Sequence, residues 1–467
     1  MYNSKLIRIF QSFDKAEKAG LRRWINSPAH NQHSDVKNTI DFLLKKRKIT
    51  PTSVKRARLH DYLYPNQTYN PARINHVLSF TTEVVEGFIA FLMIQKSPFQ
   101  AYLSIGQYYQ QKNLKDLATS ALKKTKTALQ QDALRDELYY YNNFLLEKAQ
   151  FNLTGTENRQ QRTNLQEIFN DLGAFTIIAT LRNACIALSH KSLYKTDYQI
   201  PFLEATLQES QISPYKDNLV IQTYFHSYQA LKTPEEEKHF HALKPLLLER
   251  QLPLTTEDLK YITLLSINYC IKRLNTGSEQ FVQEVFELYQ FGLEQEIWLE
   301  NGALSHSTFK NIATAALRLK EYDWTANFIE DYSHKIKPKY RVDYTNYIKA
   351  KLLFEQADYS QAQDLLLQTE LVDLFIGLAI KILLLKIYWK LEEYSLLEAH
   401  MDSFAVYLNR KKVLAYHRQI YGNTISITRK IVHANLNDSA VKQQLHQLIM
   451  NTHPLTERPW LLEQLEK

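Results

Sequence analysis

Two runs of basic residues stand close together near the start of the chain: Lys45-Lys46-Arg47-Lys48 and Lys55-Arg56-Ala57-Arg58, the second on an expected helix. Clustered ammonium and guanidinium groups attract phosphates. His60, Tyr62, Tyr64 and Tyr69 follow closely enough to offer aromatic stacking. Contact with nucleic acid is thus one chemistry open to Lys45, Lys46, Arg47, Lys48, Lys55, Arg56 and Arg58 but not the favoured one; a solvated face is the favoured reading. The same charges would also suit solvated helix ends, where cations complement the dipole, or an acidic protein or membrane surface. Residues 1–60 hold 14 Lys/Arg against 4 Asp/Glu, a local +10, so the other residues sum to about −2 of the net +8. The basicity belongs to this segment alone.

Other chemistry is harder to place. His30 and His33 stand near Asp35 and could share a metal, although two loop histidines after Pro28 explain them as well. His239 and His241 follow Glu235, Glu236 and Glu237, but residues two apart point to different faces of a helix. Neither His-Glu-x-x-His nor Gly-x-Ser-x-Gly occurs. The closest of the ten glycines, Gly292 and Gly302, are ten apart, which excludes the P-loop, the dinucleotide fingerprint and the kinase Gly-rich loop. Cys185 and Cys270 read as small core residues in a reducing compartment. Charges interrupt the N-terminal segment before an apolar run of leader length forms, so a cytoplasmic location is expected. No catalytic residue, metal ligand or cofactor is assigned; an enzyme on a helical scaffold is the least favoured reading.

The elements that must position these residues are helices. In 467 residues there are 10 Gly and 13 Pro, together well under half the usual use of about 7% and 5%. Chains rich in hairpins or βα turns need more of both. Three segments follow from composition and breaks: a basic helical N-terminal region at 1–98, irregular helical repeats at 99–255 and TPR-like repeats at 256–467. Within the first, helices are expected over 35–48, after Thr50-Pro51-Thr52-Ser53, and over 71–96, where the apolar run Phe88 to Ile94 should be buried. Residues 371–389 are the most membrane-like stretch, but Asp373, Lys381 and Lys386 interrupt them, and a buried helix fits better.

Internal repeats set the architecture. Aligned on Ala326, Ala362 and Leu397, three polar turns recur at steps of 36 and 35, with Leu317, Leu353 and Tyr388 nine positions earlier. An outlying unit aligns on Leu117. A helical hairpin of ~34 residues with a small residue opening its second helix is the TPR unit. The expected fold is thus an all-α, TPR-like α-α superhelix. In that register Lys310, Arg318, Asn346 and Lys349 on first helices face a groove that would bind a peptide or helix of a partner protein. The 29 tyrosines, among them Tyr322, Tyr359 and Tyr394 at the turns, suit packing between helices and would also suit peptide recognition.

Ser27-Pro28 with Asn31, Ile267-Asn268-Tyr269-Cys270-Ile271, Ser307-Thr308-Phe309-Lys310-Asn311-Ile312 and Trp324 with Phe328-Ile329 resemble an uncharacterised bacterial family of long TPR-like helical-repeat proteins over most of the chain. The resemblance implies the fold; that family has no established activity to carry over. The expected function is a non-catalytic interaction scaffold, with a nucleic-acid-associated regulator as the alternative.

Overall fold

The computed structural model describes residues 1–154, 163–194, 196–249, 251–369, 373–410 and 415–466. Among them are 23 α-helices and one two-residue hairpin, and 75% of the chain is helical. The chain divides into two compact units, Met1–Thr176 and Ile177–Lys467. The breaks read at 98 and 255 coincide with helix starts, Pro98 and Thr256, whereas the division falls inside a helix.

The first unit comprises α1 (Lys5–Ser12), α2 (Lys15–Ile25), α3 (Ser34–Leu44), α4 (Arg56–Leu63) and α5 (Pro71–Lys96). These are followed by α6 (Pro98–Gln111), α7 (Lys115–Gln130), α8 (Glu137–Thr154) and the start of α9 (Leu165–Tyr194). Helices α1 to α4 each pack on α5, around a core that includes Leu6, Ile7, Leu21, Ile40, Leu43 and Ile74, all at most 1% exposed. Asn70 caps α5 by accepting from the Arg73 N–H at 3.1 Å, and Pro71 opens it without losing a hydrogen bond.

Three local expectations change here. Helix α3 stops at Leu44, and Lys45 to Lys48 lie beyond it. Helix α4 starts at Arg56, after the Thr50-to-Ser53 signal, but no hydroxyl caps it: Lys55 holds the cap position without a side-chain bond. The hydroxyls serve a turn instead: the Thr50 N–H donates to Ser53 Oγ at 2.8 Å and the Ser53 N–H to Thr50 Oγ1 at 3.1 Å. The apolar end of α5 is only half covered, with Phe88 buried but Phe91 and Ile94 exposed and Met93 at 60% exposure. Only one side of α5 meets the bundle. Pro71–Lys96 and Leu165–Lys191 are long and apolar enough to cross a membrane by length and composition.

The second unit continues from α9 with α10 (Leu203–Glu209), α11 (Leu219–Lys232), α12 (Lys238–Leu248), α13 (Thr256–Asn275) and α14 (Phe281–Glu294). Strands β1 (Leu299–Glu300) and β2 (Ala303–Leu304) pair antiparallel, and the two loop residues both have positive φ, Asn301 at 52° and Gly302 at 76°, as a tight hairpin requires. Then come α15 (His306–Arg318), α16 (Tyr322–Tyr332), α17 (Pro338–Glu355), α18 (Tyr359–Leu367), α19 (Leu374–Lys390), α20 (Tyr394–Arg410), α21 (Ala415–Val432), α22 (Ser439–Asn451) and α23 (Arg458–Glu466). Helix α19 is largely buried, as expected; residues 371 and 372 lie outside the described residues. Cys185 and Cys270 are free and buried.

Four hairpin turns are built alike. Asn113, Lys320, Ala357 and Glu392 adopt left-handed φ of 57°, 62°, 65° and 58°. In each the following N–H donates to the carbonyl five residues back: Leu114 to Tyr109, Glu321 to Ala316, Asp358 to Leu353 and Glu393 to Tyr388, at 2.9 to 3.0 Å. The left-handed residue itself donates three back. This is the Schellman closure of a helix end, and the next helix begins two residues later each time. First helices also touch one another, α15 on α17 and α17 on α19.

These turns correct the repeat register. The fourth residue of the second helix is Ala118, Thr325, Ala362 and Leu397, every one fully buried at 0% exposure. Ala326 and Leu117, the positions aligned from sequence, are exposed. The steps between turns are therefore 37 and 35 (357 − 320 and 392 − 357). Matching alanine to alanine misplaced the first unit, because a buried threonine fills its small-residue position. Thr325 can do so because its hydroxyl donates to the Glu321 carbonyl at 2.7 Å.

Candidate functional site

Helices α15, α17 and α19 lie side by side in the second unit, and their polar residues gather on a shared face. Ser305 caps α15 by accepting from the Thr308 N–H at 3.0 Å, which sets His306 and Lys310 one turn apart. The His306 ring stacks on Tyr340 at 4.2 Å and meets Tyr344 edge-on at 4.7 Å. Its Nε2 lies 3.8 Å from Asp373, the cap of α19, and Tyr344 donates to the same carboxylate at 3.2 Å. Burial lowers the His306 pKa against the pull of Asp373, and it lowers that of Lys310 against the same carboxylate. Burial, then Asp373, pushes the Tyr344 phenol up.

The face continues down α17 as Tyr340, Tyr344, Tyr347 and Lys351, spaced four, three and four, which keeps them on one side. Lys351 is the most perturbed cation. Burial brings its pKa down to about 8, opposed by Glu457 and assisted by Lys386, while Lys310 adds to the lowering. Tyr347 is pushed up by burial and by Glu457 and Tyr421. Lys386 on α19 is ion-paired to Glu457, just before α23, and sits 5.7 Å from the Trp460 ring. Lys390 pairs with Glu463 at 3.4 Å. Lys310 and Lys351 make no hydrogen bond or ion pair with any described residue.

Of the four groove residues read from sequence, the structure brings Lys310 into this cluster. Asn346, on α17, points away from the Tyr340–Lys351 stripe and donates weakly to Thr369 Oγ1 at 3.4 Å. Arg318 sits at the far end of α15, exposed, in a bidentate pair with Glu279 at 2.7 Å. Lys349 is exposed on the side of α17 away from Lys351. Lys351, Lys386, Tyr347 and Glu457 were not singled out. The stripe of tyrosines ending in Lys351 was the available signal on α17; nothing in sequence joins it to Glu457.

In the first unit, Lys45 donates to the Tyr62 hydroxyl at 2.8 Å and Lys46 lies 4.2 Å over the Phe42 ring. Arg47, Lys48, Lys55, Arg56 and Arg58 are exposed. His30 stacks on Trp24 at 3.6 Å while His33 meets Phe80 at 4.4 Å, so the two histidines serve different aromatic partners. His239 faces His226, Nδ1 to Nδ1 at 3.0 Å, and burial first, then His239, brings His226 down to about 4. No group of three or more His, Cys, Asp or Glu among the described residues is placed to hold a metal ion.

Comparison with protein-family models, curated proteins and solved structures returned no match, so the residues themselves have to carry any functional assignment.

Proposed function

We propose that the second unit is a TPR-like helical array that binds an acidic peptide or helix of a partner protein along α15, α17 and α19, without a cofactor and without catalysis. The repeated Schellman turns and the packing of first helix on first helix support the array. The observation that carries the partner's chemistry is the pair of recessed, unpartnered ammonium groups on Lys310 and Lys351. A desolvated cation costs free energy unless an anion compensates it. Lys351 and Lys386 stand at the same place in consecutive units, each six residues before its left-handed turn residue (357 − 351 and 392 − 386). Glu457 compensates Lys386 directly; a carboxylate of the partner would do the same for Lys351 and Lys310.

The test is capture of partners from a native lysate by the full chain, by Lys310→Glu/Lys351→Glu and by Arg318→Glu. The reading requires a protein held by wild type and by Arg318→Glu and lost from the double variant, with circular dichroism unchanged. Equal capture by all three would refute it.

A further inference from the structure

A second surface, in the first unit and independent of the lysine–tyrosine face, points to a different partner. The capping box of Asp14 and Glu17 fixes the start of α2, and from there Lys15, Lys18 and Arg22 follow at spacings of three and four. They form one stripe, roughly 10 Å long at 1.5 Å per residue. Across from it, Lys46, Arg47 and Lys48 leave the end of α3. Two cavities lie along these residues, of about 500 Å³ beside Tyr2, Lys18, Lys46, Arg47 and Lys48 and about 540 Å³ beside Lys15, Lys18 and Arg22. They share Lys18 and Leu44, so together they form one continuous cleft.

Six cations line the cleft and no acid does. None of the six forms an ion pair with a described residue. The acids nearest on α2 are engaged elsewhere: Asp14 accepts from the Glu17 N–H at 2.7 Å, while Glu17 accepts from the Asp14 N–H and pairs with Lys96 at 3.0 Å. Surface lysines are normally interspersed with carboxylates, so six unpaired cations on two facing walls concentrate positive potential within the cleft. The floor is apolar, with Leu43, Leu44 and Ile49, and Tyr2 stands exposed at the rim.

We propose that this cleft binds single-stranded nucleic acid, its walls holding successive phosphates and its apolar floor and Tyr2 meeting base faces. A flexible strand can enter between two walls, whereas a bilayer or a rigid duplex presents its phosphates to the rim alone. Aromatic and apolar surfaces also favour unpaired bases, whose faces are free. The sequence motif is thereby divided: Lys46, Arg47 and Lys48 belong to the cleft together with Lys15, Lys18 and Arg22, while Lys45, Lys55, Arg56 and Arg58 do not line it.

The test is fluorescence anisotropy of the full chain with labelled dT20 and U20 strands, beside a 20-base-pair duplex and vesicles containing phosphatidylserine. With about five phosphates neutralised, log K should fall against log salt with a slope of about −3.5, or roughly 100-fold between 50 and 200 mM. Lys18→Glu/Arg47→Glu should weaken strand binding at least tenfold and flatten the slope by about 1.4. Arg56→Glu/Arg58→Glu, outside the cleft, should stay within about threefold. All four side chains are at the surface, so melting curves should coincide. The relative affinity for dT20 and U20 assigns DNA or RNA. No strand binding at 50 mM salt, equal loss in both variants, or cleft-dependent binding to vesicles alone would each overturn the proposal.

Discussion

Lys351→Met should make the protein more stable at neutral pH. In the folded chain the Lys351 ammonium loses its proton near pH 8, against an ordinary value of 10.5. Below pH 8 both states carry the proton, and the fold bears the full cost of the recessed charge. Between about 8 and 10.5 the unfolded chain binds more protons, so stability rises with pH across that window and the cost vanishes above it. At ~1.4 kcal/mol per tenfold, the difference corresponds to at most about 3.5 kcal/mol, with the attraction of Glu457 already included. Methionine preserves most of the side-chain volume and removes the charge, so little cavity cost offsets the gain.

Urea denaturation followed by tryptophan fluorescence provides the assay, because four of the five tryptophans, Trp298, Trp324, Trp389 and Trp460, lie in the second unit. Subtracting the variant from wild type at each pH cancels the tyrosines and other groups that titrate in both. The variant should exceed wild type by 1–3 kcal/mol at pH 7, on the order of the cost above, and converge with it by pH 10.5. A variant less stable at pH 7, or a difference that ignores pH, would refute the recessed-cation reasoning. The same residue gives a binding signature. An acidic segment seated on Lys351 raises its pKa, so binding at pH 8 should take up close to half a proton, readable by calorimetry in buffers of different ionisation enthalpy.

Two further substitutions test the packing. Ala357→Gly relieves a Cβ in the left-handed region, worth ~1–2 kcal/mol, and loosens the unfolded chain by ~0.4–1; a net gain of roughly 0.5–1 kcal/mol in urea denaturation is expected, and a loss would contradict the turn geometry. Gly292→Ala would place a Cβ 2.1 Å from the Trp298 ring, whose Nε1 donates to the Tyr289 carbonyl at 3.0 Å. Overpacking and a strained buried hydrogen bond together should destabilise by about 2–4 kcal/mol, whereas an unchanged melting temperature would show that the indole is not seated there.

The all-helical class was legible because it depends on what the chain lacks. Few glycines and prolines leave little besides helices, and the start of α5 at Pro71 was read directly. The failures share a physical cause: sequence spacing cannot show which side of a helix has a neighbour. Phe91, Met93 and Ile94 read as buried because they are apolar, yet the bundle covers only one side of α5. Ala326 read as the pivot of its repeat because it is small, yet the turn geometry brings Thr325 inward.

The left-handed residue of each turn would have been a better anchor than any side chain. It is Asn, Lys, Ala or Glu in the four units, so residue type hides a backbone conformation that recurs throughout. Counting back from that conformation is what aligns Lys351 with Lys386. Of these two equivalent lysines, one has its carboxylate and the other lies recessed without an ion pair. If that face of α17 served packing alone, an apolar residue at position 351 would be the more stable choice. The acidic partner proposed above would account for a charge at such a site, and the Lys351→Met comparison measures what that charge costs the fold in the partner's absence.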